Sequence, residues 1–205
     1  MEDWLFLFGM NIMSSGLKKV AGEGVLKAIG LLSSYDTAGK EDVRKLEGEV
    51  DSMGEGGNQF IIQLSSVESS GKESVMVADM LHVLGDMERI SDYSLNLSST
   101  AKKINRGEFM GKAELCVCFD PINKSLSEIL KETVNAYETR DITASHMITQ
   151  KTEALVKQIK KLKKSDLKSL RNGKASAESS VYISEYLSVC RRIAEHSQNI
   201  AESLL

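Results

Sequence analysis

The chain has 205 residues with a single proline, and its 26 lysines and arginines nearly balance 29 acids, for a formal net charge of −3. No global basic field exists to draw it to nucleic acid. Three cysteines, Cys116, Cys118 and Cys190, lack four-ligand spacing, which disfavours a disulfide scaffold or structural zinc and fits a reducing compartment.

The first segment, Trp4 to Met13 (WLFLFGMNIM), is apolar for about ten residues where a bilayer span takes about twenty. Glu2 and Asp3 precede it and Lys18 and Lys19 follow, the reverse of the charge order in a signal peptide. Residues 1–16 are thus expected to form an apolar N-terminal segment that is not a full membrane span. A short amphipathic helix start, packed on the rest of the chain, is the simplest form for it.

A helix is predicted over Leu17 to Leu32, interrupted by Gly22 and Gly24 and ending near Tyr35-Asp36. Next, Val43, Leu46, Val50, Met53, Gly57, Phe60 and Leu64 step by threes and fours, which places them on one stripe of a long helix. Met76, Met80, Val83, Met87, Ile90, Ser94, Leu97, Ala101 and Ile104 do the same. Short polar turns at 35–40 and 66–72 make antiparallel packing of the three helices the natural solution. Residues 17–105 therefore read as a first three-helix bundle.

Residues 106–120 lose the period and finish at Asp120, followed by Pro121. An aspartate N-cap with proline at the first helical position predicts a linker followed by a helix start at residue 121. Helices are then expected over Pro121 to Thr139, Ile142 to Leu170 and Ala177 onward, with Asn172-Gly173 as the stop between the last two. Residues 121–205 form a second three-helix bundle on this reading.

An internal repeat supports the division. At an offset of 103, Leu84, Arg89, Ile90, Ser94 and Asn96 align with the identical Leu187, Arg192, Ile193, Ser197 and Asn199. Self-similarity of this kind marks a duplicated structural unit. The expected fold is all-α: two tandem antiparallel three-helix bundles.

Glu47 and Asp51 lie four apart on one helix, and Glu88 and Asp92 four apart on another, so each pair shares a helical face about one turn apart. If the two helices pack side by side, four hard oxygen donors converge, a set suited to iron, manganese, magnesium, calcium or zinc. A solvated acidic face gives the same pattern.

The stretch DMERISDYSLN at Asp86 to Asn96 resembles the signature helix of the PhoU family, close to Leu-Glu-Arg-Ile-Gly-Asp-His-Ala-x-Asn, and RRIAEHSQNIAE at Arg191 to Glu202 resembles a second copy. The resemblance covers roughly residues 17–205 and implies the same PhoU-like pair of bundles. Some family members bind iron or zinc clusters through paired Glu/Asp-x-x-x-Asp motifs. It therefore implicates Glu47, Asp51, Glu88 and Asp92 as metal ligands, with iron or zinc as the cofactor. In the second bundle Arg191 stands where the motif has glutamate, Glu195 replaces its aspartate, and Glu153 is followed by Lys157. Such a mixed set is expected to neutralise itself by cross-helix pairs of about 0–1 kcal/mol each and to bind no metal cluster.

Residues Phe6 to Glu23 (FLFGMNIMSSGLKKVAGE) look like the opening of the bacterial sodium/phosphate cotransporter family, many members of which carry a PhoU-like domain after their membrane core. The resemblances imply a regulatory or interaction module linked to phosphate uptake and associated with such a cotransporter. A truncated component of a sodium-dependent phosphate transporter is the alternative. A metal-dependent helical enzyme ranks third, because the Glu-x-x-His motifs usual in di-iron bundles are absent at the relevant positions. No catalytic base is assigned.

Expected partners are a phosphate transporter or sensor protein, a second copy in a homo-dimer and, peripherally, a membrane; nucleic acid is not among them. The expected location is cytoplasmic, at the inner face of the cell membrane. His82, His146 and His196 fall on three helices without close spacing, and His196 reads as a partly buried residue beside Ser197. Cys116 and Cys118 form an incidental pair without redox context. Lys157, Lys160, Lys161, Lys163, Lys164 and Lys168 form a basic stretch, either a solvated helix face or a contact for an anionic leaflet.

Overall fold

The computed structural model describes residue 16 and residues 23–65, 71–107 and 112–204. The expected apolar segment 1–16 lies outside the described residues apart from Gly16. Among the described residues there are six α-helices and no strand: α1 (Val25–Ser33), α2 (Thr37–Ser65), α3 (Gly71–Arg106), α4 (Lys112–Thr139), α5 (Ile142–Arg171) and α6 (Ala177–Glu202). Helices α1, α2 and α3 pack together, as do α4, α5 and α6, and α3 packs along α6. The all-helical fold is the one expected from the sequence.

Several of the described junctions have a local chemical cause. Asp36 accepts from the backbone N–H of Gly39 ahead of α2, which satisfies one of the donors a helix start leaves open. Asn105 of α3 donates to the carbonyls of Leu31 and Leu32, each at 3.2 Å, and so closes the end of α1 from another helix. Asp141 caps α5 by accepting from the backbone N–H groups of Thr143 and Ala144 and from the Thr143 hydroxyl; the hydroxyl bond first, and then the backbone bonds, hold its carboxyl below the usual range. After α5, Gly173 takes φ of +69°, a left-handed turn that glycine adopts without steric penalty, and Ser176 caps α6.

One junction differs from expectation. Helix α4 begins at Lys112, and Pro121 lies inside it rather than at its start. Proline within a helix removes a hydrogen bond and disfavours continuation by about 3 kcal/mol. Here Phe119 on the N-terminal side of the proline is buried, with its ring centroid 4.3 Å from that of Tyr186, and Ile122 and Leu126 are buried beyond it. Tertiary packing on α6 overrides the local stop signal.

The seam read from sequence on α3 is a buried stripe, and α6 buries one of the same spacing. On α3, Met80, Val83, Met87, Ile90, Ser94, Leu97, Ala101 and Ile104 are all buried; on α6, so are Tyr186, Cys190, Ile193, Ser197 and Ile200. Yet α3 also buries Leu84, Asp86, Ser91 and Ser98, and α6 buries Leu187, Ala194 and Ala201. Leu84 lies against Gly57 of α2 and Asp86 against His196 of α6, and the buried residues form one continuous core. A helix with neighbours on two sides must bury more than a single stripe.

Candidate functional site

Helices α2 and α3 approach closely through two glycines. A Cβ at Gly57 would lie 2.9 Å from Leu84 Cδ1, and one at Gly54 would overlap Glu88 Oε1. The bare backbone of Gly54 thus makes room for the Glu88 side chain on the face that carries Glu47 and Asp51. Glu47 and Glu88 are half-buried, whereas Asp51 and Asp92 are exposed.

The four acids share one electrostatic environment. Burial first, then the charges of Asp51 and Asp92, push both Glu47 and Glu88 above the ordinary carboxylate value. Arg44 partly opposes this at Glu47, and Arg89 at Glu88. Among the described residues none of the four forms a salt bridge. The donor chemistry, hard oxygen ligands only partly offset by Arg44 and Arg89, fits a multivalent cation. The arrangement is open, however: among the described residues no group of three or more Asp, Glu, His or Cys side chains closes to metal-holding geometry.

The equivalent face of the second bundle is internally neutralised, but not as expected. Arg191 Nε donates to Glu195 Oε1 at 2.7 Å, and Lys157 Nζ lies 3.6 Å from Glu153 Oε2. Both pairs run along a single helix rather than between helices, because four-residue spacing already places each cation beside its acid. Lys163 bridges α5 to α6 instead, donating to Ser188 Oγ at 2.7 Å. Burial first, and Arg191 second, push its pKa down.

A second polar constellation, missed from sequence, joins the two halves. Asp86 of α3 is buried, and its Oδ1 lies 2.7 Å from His196 Nδ1 on α6. Arg89 Nη1 stands 3.7 Å from the same oxygen. The His196 ring stacks on Tyr93 at 5.8 Å with 24° between planes. His196 is partly buried, as expected, but its partner is on the other bundle. Tyr93 and His196 are also equivalent under the 103-residue offset, so the ring pair sits on the pseudo-two-fold axis relating the halves.

Two clefts flank this axis. One, of about 460 Å³, is lined by residues including His82, Asp86, Arg89, Asn199 and Glu202. The other, of about 590 Å³, is lined by Asn96, Ser99, Lys103, Glu185 and Val189 among others. The offset carries His82 to Glu185, Asp86 to Val189, Asn96 to Asn199 and Ser99 to Glu202. His146 is exposed away from both clefts, Cys118 is exposed, and Cys116 falls outside the described side chains.

Residues 15–101 match the family model described as the PhoU domain. The match ends five residues short of the end of α3 and takes in all four acids. Two solved PhoU structures share the fold over the whole chain. PhoU from Pseudomonas aeruginosa superposes with a TM-score of 0.74 at 16% identity, covering 98% of this chain and 92% of that one. The phosphate transport system regulatory protein PhoU from Streptococcus pneumoniae superposes with a TM-score of 0.86 at 15% identity, covering 100% and 95%. The PhoU likeness of the second half is thus one of fold. No curated protein sequence matches the chain. No helix among the described residues is long and apolar enough to cross a membrane.

Proposed function

We propose that this protein is a PhoU-like regulatory module of phosphate uptake, acting by contact with a phosphate transporter or sensor rather than by catalysis. The observation that carries the reading is the PhoU fold over the full chain, together with the PhoU domain match at residues 15–101. A sodium/phosphate cotransporter is the partner favoured by the resemblance of Phe6 to Glu23 to that family's opening. Glu47, Asp51, Glu88 and Asp92 are the proposed metal ligands, with iron or zinc as the candidate ions; the shared acidic field supports this. A metal there would offset the mutual repulsion of the acids and draw the open ring closed.

The test is affinity capture from membranes of cells grown in high and in low phosphate, with a Glu88→Gln, Asp92→Asn variant alongside. Capture of a phosphate transporter whose yield depends on phosphate is the expected result. Equal capture by the variant would remove the metal from the interaction while leaving the module intact. Capture of no phosphate transporter or sensor in either condition would overturn the reading.

A further inference from the structure

Helix α5 carries a concentration of charge that the acidic face of the first bundle does not explain. Between Lys157 and Arg171 stand six lysines and one arginine against the single Asp166, in a chain of net charge −3. At 3.6 residues per turn, Lys157, Lys160, Lys161, Lys164, Lys168 and Arg171 fall within an arc of about 100° and run for about 21 Å along the helix. That arc lies opposite the buried Leu155 and Ile159, and all six residues are exposed. Lys157 is paired with Glu153. Lys160, Lys161, Lys164 and Lys168 make no ion pair among the described residues. Leu167, which is 54% exposed, borders the stripe.

We propose that this stripe docks the protein on an anionic lipid leaflet. A straight row of cations on the outer side of a helix can lie tangent to a plane, so every lysine reaches the headgroup layer at once. Lysine, a compact point charge on a flexible stem, suits mobile lipid phosphates that need no fixed geometry. A folded protein partner is a poorer fit, because stable interfaces centre on buried aromatic and arginine anchors, and the stripe holds five lysines with one terminal arginine. An extended polyanion such as nucleic acid would meet the acidic remainder of the chain. This inference does not rest on the phosphate-regulatory reading.

The test is co-sedimentation of the full chain with vesicles of phosphatidylcholine alone or mixed with phosphatidylglycerol. Binding to the anionic vesicles only is expected, with release as salt rises from about 0.01 M to about 0.15 M and the Debye length falls from about 30 to about 8 Å. Each lysine near such a surface strengthens binding about fivefold, so replacing Lys160, Lys161, Lys164 and Lys168 together by Gln should lower partitioning by at least about 100-fold. A control with Lys40, Lys45, Lys124 and Lys131 replaced by Gln changes the net charge equally and should stay within about threefold of the parent. Circular dichroism establishes that both variants fold.

Equal losses in the two variants would reduce the effect to net charge and overturn the proposal. So would binding to neutral vesicles that neither salt nor the substitutions alter, which would assign the contact to an apolar segment. Absence of binding to anionic vesicles at low salt, or salt-sensitive binding to duplex DNA in its place, would overturn it as well.

Discussion

The Asp86–His196 contact joins α3 of one bundle to α6 of the other, and its removal should be felt by the whole molecule. His196→Ala deletes a 2.7 Å hydrogen bond to a buried carboxyl group and the stack on Tyr93. A hydrogen bond to a charged partner contributes about 1.5–3 kcal/mol, and an aromatic pair about 0.5–1.5 kcal/mol beyond its burial. The expected destabilisation is about 2–4 kcal/mol, a fall in Tm of roughly 5–15 °C for a chain of this size. Because Asp86 keeps only the more distant Arg89, Asp86→Ala and the double variant complete a cycle in which the two residues should couple by about 1.5–3 kcal/mol. Urea unfolding followed by far-ultraviolet circular dichroism measures each corner. Additive single effects, with a coupling below about 0.5 kcal/mol, would show that the contact does not link the bundles.

Two further outcomes follow from the site and the core. In metal-free protein, the raised pKa of Glu88 means that the fold favours its protonated form, a contribution present below its unfolded value of 4.5 and lost as pH rises through the folded value. Glu88→Gln should therefore stabilise by about 0.5 kcal/mol near pH 7 and make no difference below 4.5, compared by urea midpoints in chelator; a less stable variant at neutral pH would refute the shared acidic field. Burial pushes the Cys190 thiol up to about 12, whereas Cys118 is exposed. Iodoacetamide should alkylate Cys118 in the native protein and Cys190 only after denaturation, as read by peptide mass mapping, and comparable native labelling of both would contradict the packing of α6.

The α3 seam, the repeat and the stop after α5 were legible because they depend on local chemistry: three-and-four spacing along α3 and glycine at 173. Pro121 misled for the same reason. Its local signal is a helix start, and only the seating of Phe119 on Tyr186 carries the helix through it. The four carboxylates were legible as two pairs, and the shared field between them needed only that α2 and α3 be neighbours. Asp86 with His196 was not legible, because each lies on the flank of its own helix and acquires a partner only from the antiparallel crossing of α3 and α6. The repeat held an indirect clue: a duplicated helix meeting its twin across a two-fold axis brings equivalent residues together, and Tyr93 and His196 are such residues. The pairing of Glu153 with Lys157 was misassigned to a cross-helix bond when spacing alone sufficed.

The ring pair on the axis also speaks to ancestry. A forebear encoding one such unit would have met its own copy at this position, tyrosine on tyrosine or histidine on histidine, as a symmetric assembly of two identical chains. In the present chain the two positions differ: Tyr93 only stacks in the pair, whereas His196 also holds Asp86. By the same logic, either half expressed by itself would lay bare the flank where Asp86 and Tyr93 now meet His196, and would seek a companion to hide it.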